Sequence, residues 1–265
     1  MTVASAERNA QAETLALFIS DLHLQPSMPR TTQAFFDFLS GPALKTARLY
    51  VLGDLFEYWA GDDDLNTTFN HLVTNAIRAV GDAGVELFWM AGNRDFLAGD
   101  EFAAATGMTV LTDPFDTMLG GHRLVLMHGD AQCTDDTDYM AFRAQVRHQE
   151  WQDRFLAMSL TERKAIIAGL RRDSRNAQSA KSYDIMDVNE DAIAAAFDRA
   201  ASEVMIHGHT HRPAHHEYAH ASGKRIRYVL PDWDCDVTPA RGGWLAMDAS
   251  GSIRKVGLDG IAAPD

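Results

Sequence analysis

The sequence has few of the features that mark secreted, membrane-spanning or nucleic-acid-binding proteins. Cys133 and Cys235 are its only cysteines, and neither belongs to a paired motif. We therefore expect free thiols in a reducing cytosol. No run of about 18 uncharged apolar residues occurs, so no segment is expected to span a bilayer. The formal net charge of −13 argues against a nucleic-acid partner, because phosphate binding needs a basic face.

Signal and repeat patterns are also missing. Met1–Glu13 is polar and rich in alanine, without the basic-then-apolar layout of a signal peptide, and we expect a flexible N-terminal tail. No internal repeat or low-complexity tract occurs. The chain has 46% hydrophobic and 23% charged residues, which is ordinary for a globular protein and predicts one core-forming domain over residues 14–265, with room for an insertion.

Apolar runs alternate with helical patterns along most of this domain. Strands are predicted at Thr14–Ser20, Arg48–Leu52, Val85–Met90, Arg123–Met127, Met205–Ile206, Ile226–Leu230, Trp244–Met247 and Ile253–Leu258. Helices are predicted at Thr31–Ser40, Asn66–Val80 and Asp100–Thr106. The order predicts an α/β fold with two packed sheets flanked by helices.

Five short segments with metal-binding side chains stand at or just after the ends of these apolar runs. They read Asp21-Leu22-His23, Gly53-Asp54, Gly92-Asn93-Arg94-Asp95, His128-Gly129-Asp130 and Gly208-His209-Thr210-His211. The carboxyl ends of parallel strands meet at one edge of a sheet, so the segments are expected to converge. The seven candidate ligands are Asp21, His23, Asp54, Asn93, His128, His209 and His211.

This donor set indicates a particular chemistry. It contains oxygens and imidazoles but no thiolate, which favours manganese, iron or zinc. Two such cations would activate water for attack on a phosphoryl group, and Arg94 would help to stabilise the negative charge. Asp95 and Asp130 are expected to orient a histidine or to cap a turn. We interpret the acidic run 62–64 as a solvated turn or a helix start, outside the site.

The segment 135–200 departs from the alternation of strands and helices. It is rich in helical patterns, and between Tyr139 and Lys181 it has nine Lys or Arg residues against four acidic ones. Its apolar residues can be interpreted as helix-packing core or as the inner face of a cap that meets a greasy substrate. The basic excess predicts an anionic partner, such as a nucleotide phosphate or a lipid surface.

The five segments match the motifs D-x-H, G-D, G-N-[HR]-[DE], H-G and G-H-x-H, and the chain thereby resembles the calcineurin-like metallophosphoesterase superfamily. Arg94 stands where many members have histidine, so a histidine general acid is not expected there. Longer strings, including Gly53-Asp54-Leu55-Phe56-Glu57 and Gly208-His209-Thr210-His211-Arg212-Pro213, resemble the UDP-2,3-diacylglucosamine pyrophosphohydrolase family of lipid A biosynthesis. This second resemblance extends from about Leu15 to Pro213.

The resemblance implies a two-sheet sandwich with 135–200 as a helical cap insertion. It also implies an enzyme that uses two Mn²⁺ ions per chain, or other divalent ions, and lies peripherally on the cytoplasmic face of the inner membrane. The expected reaction is hydrolysis of UDP-2,3-diacylglucosamine to UMP and 2,3-diacylglucosamine 1-phosphate. Another metallophosphoesterase activity, on a nucleotide or phosphodiester, is the alternative.

Residue roles follow from the same resemblance. It implies catalytic roles for Asp54, Asn93, Arg94 and His209. It implies substrate contacts at Asn93, Arg94, Asp136, Ser174, Gln178, Lys181 and His209, with Gln178 standing where the family commonly has asparagine. With the insertion as a cap, the apolar residues would form a slot for acyl chains. Lys181 and the nearby arginines, among them Arg163, Arg171 and Arg172, are then expected to meet phosphate or the anionic membrane surface.

Overall fold

The computed structural model describes residues 14–180, 187–221 and 223–262, with side chains omitted for 173–180. Its strands are β1 (Thr14–Ile19), β2 (Thr46–Leu52), β3 (Glu86–Met90), β4 (Thr109–Val110), β5 (Phe115–Leu119), β6 (His122–Leu126), β7 (Val204–His207), β8 (Ala214–His220), β9 (Gly223–Val229), β10 (Gly243–Asp248) and β11 (Ile253–Gly257). Its helices are α1 (Pro29–Ser40), α2 (Thr68–Asp82), α3 (Asp100–Thr106), α4 (Thr137–Val146), α5 (Gln149–Leu156), α6 (Leu160–Ala180) and α7 (Glu190–Ala200).

The strands form two mixed sheets. The first has the order β11-β10-β1-β2-β3-β4, in which β1 to β4 are parallel. The second has the order β5-β6-β7-β9-β8, in which β6, β7 and β9 are parallel. Both sheets therefore place the carboxyl ends of several parallel strands at one edge, as the sequence predicts for an α/β fold.

Alternate residues of each central strand serve different cores. In β1, Ala16 and Phe18 pack between the sheets, whereas Leu17 and Ile19 pack against the helices on the outer face. Phe18, Tyr50 and Phe88 stack across three neighbouring strands, with ring centroids 5.1 and 4.6 Å apart. Burial on both faces explains why these strands are continuous apolar runs in the sequence.

Every strand and helix predicted outside the insertion is present, to within a few residues at each end. The prediction omitted β4, β5 and β8, which are all edge strands. The reason is physical, because an edge strand faces solvent and needs no apolar run. β8, for example, reads AHHEYAH and has no fully buried residue.

Helices α4 to α7 lie between β6 and β7 in the chain, which matches the predicted helical character of 135–200. Helix α7 packs its Ile193 and Phe197 with Val125 and Met205 on the outer face of the second sheet. Phe155 of α5 belongs instead to the core formed by the first sheet and its helices. Among the described residues, no helix is both long enough and apolar enough to cross a membrane.

Candidate metal centre

The loops that follow β1 and β2 remain paired after the strands end. The backbone N–H of Asp21 donates to the Gly53 carbonyl at 3.1 Å, and that of His23 donates to the Asp54 carbonyl at 3.0 Å. This extension of the parallel ladder places the first two sequence motifs side by side.

Most of the candidate ligands have an unusual backbone conformation. Asp21, His23, Asp54, His209 and His211 have φ values of 55°, 49°, 53°, 69° and 55°. Positive φ is uncommon for residues other than glycine, and it costs free energy that the surrounding structure must supply. Among the described residues, the only other such non-glycine position is Ala201, at the end of α7.

Two motif glycines are required by close approach. A Cβ atom on Gly92 would collide with the carboxylate and the backbone nitrogen of Asp54. A Cβ atom on Gly208 would collide with the Asp21 carboxylate and with Ser20. The strand-end loops therefore pack backbone directly against ligand side chains, which only glycine permits.

The seven predicted ligands converge into two adjoining groups. The first group is Asp21, His23 and His211. The Nε2 atoms of its two histidines lie 3.1 Å apart, and Asp21 Oδ1 lies 3.5 Å from His211 Nε2.

The second group is Asp54, His128 and His209, with Asn93 beside them. The Oδ1 atom of Asn93 lies 3.0 Å from His128 Nε2 and 2.9 Å from His209 Nδ1. Asp54 stands between the two groups, because its Oδ1 is 3.6 Å from His128 Nε2 and its Oδ2 is 3.9 Å from His23 Nε2. One carboxylate thus presents an oxygen to each group.

These donors fit a pair of divalent cations. Burial lowers the pKa of His23 and of His209 to about 4, so both imidazoles are neutral at pH 7, the form that binds metals. Burial also disfavours a charge on His128, but the carboxylates of Asp54 and Asp21 outweigh it and raise the His128 pKa to about 9. The carboxylates of Asp54 and Asp21 thus favour positive charge beside them, and among the described residues the buried Asp21 Oδ1 has no partner closer than His211 Nε2 at 3.5 Å.

Two acidic side chains that sequence reasoning missed lie beside histidines of the centre. Glu57 Oε2 lies 3.0 Å from His23 Nδ1, and Asp232 Oδ2 lies 3.7 Å from His211 Nδ1. The sequence contained an indication of each residue. Glu57 is the last residue of the motif Gly53-Asp54-Leu55-Phe56-Glu57, and Asp232 lies just after the parallel strand β9.

The two acids that follow motif residues have different roles. Asp95 accepts hydrogen bonds from the backbone of Leu55 and of Gly92, both at 2.8 Å, which confirms the predicted turn-capping role. Burial, together with the neighbouring Asp54, raises the Asp95 pKa to about 6. Asp130 instead accepts from Tyr139 Oη and Arg143 Nε of α4, both at 2.8 Å, and so ties the helical segment to the centre.

The acidic run 62–64 lies at a helix start, as predicted, and outside the two metal groups. Asp62 accepts backbone hydrogen bonds from Gly99, Glu101 and Phe102 at the beginning of α3. The alternative interpretation, a solvated turn, does not apply to Asp64, which is 2% exposed and pairs with Lys164.

A cavity of about 680 Å³ opens from the centre. Its polar end includes Asp54, Asn93 and Arg94, and the backbone N–H of Arg94 donates to Asp54 Oδ1 at 2.8 Å. Asp136, which caps α4, also lines it. The structure does not describe the side chains of Ser174 and Gln178, nor any part of Lys181. The substrate contacts predicted at these three positions therefore lie outside the described residues. The apolar wall consists of Phe142, Val146, Trp151, Phe155, Ile167 and Leu170 from α4 to α6, together with Phe96 and Leu97.

Apolar residues of the helical segment both pack in a core and line this cavity. Phe155 is 4% exposed, stacks on Trp151 at 4.8 Å and packs with the core of the first sheet. The same two rings line the cavity beside the metal centre. The same side chains therefore take part both in core packing and in the lining of the cavity.

The basic residues of α6 are placed differently from the expectation. Arg163 is 2% exposed and donates to the Ala60 carbonyl and the Asp63 carboxylate. The expectation that it faces a membrane is wrong, because a buried guanidinium needs such partners within the protein. Arg171 pairs with Glu57 and is mostly buried, whereas Arg172 is exposed.

The fold and the site together define a class. Two mixed sheets that gather aspartate, asparagine and histidine ligands at their strand ends are the framework of a metal-dependent phosphoesterase, a hydrolase. Residues 15–213 match the family model described as calcineurin-like phosphoesterase. The chain belongs to the calcineurin-like phosphoesterase family.

Curated relatives show which members of this family the chain is similar to. A UDP-2,3-diacylglucosamine hydrolase of Aromatoleum aromaticum is 47% identical over 236 residues, covering 89% of this chain and 94% of the relative. Proteins with the same name from Escherichia coli O6:H1 and Bordetella parapertussis are 49% and 46% identical. Those matches cover 82% and 88% of this chain, and 90% and 91% of the relatives.

Proposed function

We propose that this enzyme hydrolyses the pyrophosphate bond of UDP-2,3-diacylglucosamine, giving UMP and 2,3-diacylglucosamine 1-phosphate for lipid A biosynthesis. The observation that carries the proposal is the cavity, which joins the two-group metal centre directly to an apolar wall. The proposed substrate has the same two parts, a pyrophosphate and two acyl chains. The names of the three relatives support the choice.

Two Mn²⁺ ions are the proposed cofactor, held by Asp21, His23, Asp54, Asn93, His128, His209 and His211. The ions supply the Lewis acidity and the positive charge that phosphoryl transfer requires. Mixed oxygen and imidazole donors without thiolates suit manganese, and the neutral Asn93 amide limits the negative charge of the centre.

We assign the remaining chemistry to residues at the polar end of the cavity. Asp54 presents one carboxylate oxygen to each metal group, and Asn93 contacts both histidines of the second group. Arg94, fixed at its backbone by Asp54, would stabilise the charge that develops on the phosphoryl oxygens. His209 completes the set of proposed catalytic residues.

The cap of the proposed site is the segment 135–200, and its apolar wall would receive the acyl chains. Asn93, Arg94, Asp136 and His209 all line the cavity, which supports their proposed substrate contacts. Ser174, Gln178 and Lys181 are proposed as further contacts on the family resemblance alone.

The assay that tests the function is release of UMP from UDP-2,3-diacylglucosamine, with and without Mn²⁺. We expect Mn²⁺-dependent release, and much slower release from UDP-N-acetylglucosamine, which lacks the acyl chains. Equal rates on both substrates would favour another nucleotide phosphoesterase. Hydrolysis in ¹⁸O-water should place the label in UMP, and label in the sugar phosphate would refute attack at the uridine-side phosphorus.

The proposed location is peripheral, on the cytoplasmic face of the inner membrane. Leu156 and Met158, near the end of α5, are 40% and 41% exposed and would enter the headgroup region. Replacing both by serine should reduce co-sedimentation with anionic vesicles. A control with serine at Val110 and Met118, which are exposed on the sheets, should bind like wild type. Equal vesicle binding by all three proteins would contradict the proposed contact.

A further inference from the structure

We propose that Glu57 is a positioning residue for His23, and that Arg171 of α6 holds Glu57 in place. Helix α6 would thereby set the affinity of one metal group but not of the other. This inference rests on the metal centre of the proposed function, and it gives roles to two residues that the ligand motifs leave out.

Glu57 lies beside His23 because of the backbone. The loops after β1 and β2 stay hydrogen-bonded, with the N–H of Leu24 donating to the Leu55 carbonyl at 3.0 Å. The N–H of Glu57 then donates back to the Leu24 carbonyl at 3.2 Å. The position of the Glu57 side chain is therefore set by the same ladder that sets His23.

The two ring nitrogens of His23 face different partners. Its Nε2 is 3.1 Å from His211 Nε2 and 3.9 Å from Asp54 Oδ2, inside the metal centre. Its Nδ1 is 3.0 Å from Glu57 Oε2, the carboxylate oxygen that faces it, but the two atoms do not meet at hydrogen-bonding angles in this structure. A carboxylate on the far nitrogen fixes the tautomer and the orientation of a metal-binding imidazole. Glu57 is thus placed to act through His23 rather than as a ligand.

Arg171 fixes the carboxylate in turn. Its guanidinium forms an ion pair with Glu57 Oε1, the oxygen that does not face His23, and lies 5.8 Å from the centroid of the Tyr58 ring. The side chains of Glu57 and Arg171 are only 15% and 19% exposed, so the pair is less screened than a surface pair. Contacts therefore run without a break from α6 to a ligand of the first group.

The second metal group is held in a different way. The Nδ1 atom of His128 lies 2.9 Å from the Leu52 carbonyl, a backbone atom of β2. His209 has the Tyr139 ring beside it, with ring centroids 6.0 Å apart. A change at Glu57 or Arg171 should therefore affect the first group selectively.

The test is titration of the metal-free protein with Mn²⁺, with free Mn²⁺ measured by electron paramagnetic resonance. Wild type should bind two ions. Glu57→Gln and Arg171→Met should each weaken one site by about 10- to 100-fold and leave the other unchanged. Arg171→Lys, which keeps the charge, should recover part of the loss. Arg172→Met, an exposed neighbour on the same helix, is the matched control and should bind like wild type.

The double variant separates positioning from general damage. Because Arg171 acts through Glu57, Glu57→Gln with Arg171→Met should bind no more weakly than Glu57→Gln alone. Full addition of the two effects, equal weakening of both sites, or unchanged binding by Arg171→Met would overturn the inference. If Glu57→Gln does not fold, as thermal unfolding would show, the Arg171 variants still decide between these outcomes. A wild type that binds no Mn²⁺ would overturn the metal centre as well.

Discussion

The metal centre and the helical segment α4–α6 are built in opposite ways. In the centre, paired loops, positive φ values and glycines without room for a Cβ fix the ligands through the backbone. The helical segment is held by side chains, namely ion pairs such as Lys164 with Asp64 at 2.5 Å and apolar packing of Phe155. The difference predicts low tolerance to backbone change in the centre and high tolerance in the segment.

The largest expected effect comes from the carboxylate shared by the two metal groups. Asp54→Ala should lower kcat by about 10³-fold or more, because it removes an oxygen donor from both groups at once. Steady-state UMP release and bound-metal analysis would measure this. Asp116→Ala, at an exposed position on β5, is the control. Near-normal turnover of a metal-replete Asp54→Ala protein would break the assignment of the centre.

The next effect tests the backbone of the centre. Gly92→Ala should lower kcat by about 10²-fold, because the new Cβ collides with Asp54 and must displace its carboxylate. The enzyme should also bind Mn²⁺ more weakly, which titration can check independently of activity. If Gly92→Ala kept its activity and its Mn²⁺ affinity, the loops of the centre could move away from the new Cβ atom. The centre would then tolerate a backbone change as well as the helical segment does.

The convergence of the candidate ligands could be predicted from the sequence because its determinants are local. A candidate ligand such as Asp54 lies two residues after a buried parallel strand, and the sheet gathers such positions at one edge. The same reasoning located Asp95 in the turn that it caps. Strand existence could be predicted wherever burial on two faces leaves an apolar run, as in β1 and β2.

The contacts of the helical segment could not be predicted in this way. Arg163 and Lys164 meet acids about 100 positions earlier in the chain, and nothing in the local sequence distinguishes a cation that is paired inside from one facing outside. The basic excess therefore suggested an external anionic partner, whereas the structure places Arg163 against Asp63 and Ala60. Pairing of this kind depends on how the helix packs against the rest of the fold, and the local sequence does not reveal that packing.

A smaller effect would sharpen the cap interpretation of the helical segment. Leu170 and Ile166 are both 39% exposed and one helical turn apart, but only Leu170 lines the cavity. Leu170→Gln should raise KM for the diacylated substrate roughly tenfold, because apolar contact with an acyl chain is lost. Ile166→Gln should leave KM unchanged, and neither change should alter Mn²⁺ binding. Equal KM values for the two variants would contradict the acyl-chain slot.

The smallest expected effect tests the tolerance of the segment directly. Gly169 lies inside α6, and a Cβ there meets only the tip of the flexible Arg172 side chain, at 3.9 Å. Gly169→Ala should raise the free energy of unfolding by about 0.5–1 kcal/mol, because alanine loses less backbone entropy in a helix. Urea unfolding would measure the gain, and turnover should match wild type. A loss of activity comparable to that of Gly92→Ala would mean that the backbone of α6 is as tightly constrained as that of the centre. That result would contradict a segment held mainly by its side chains.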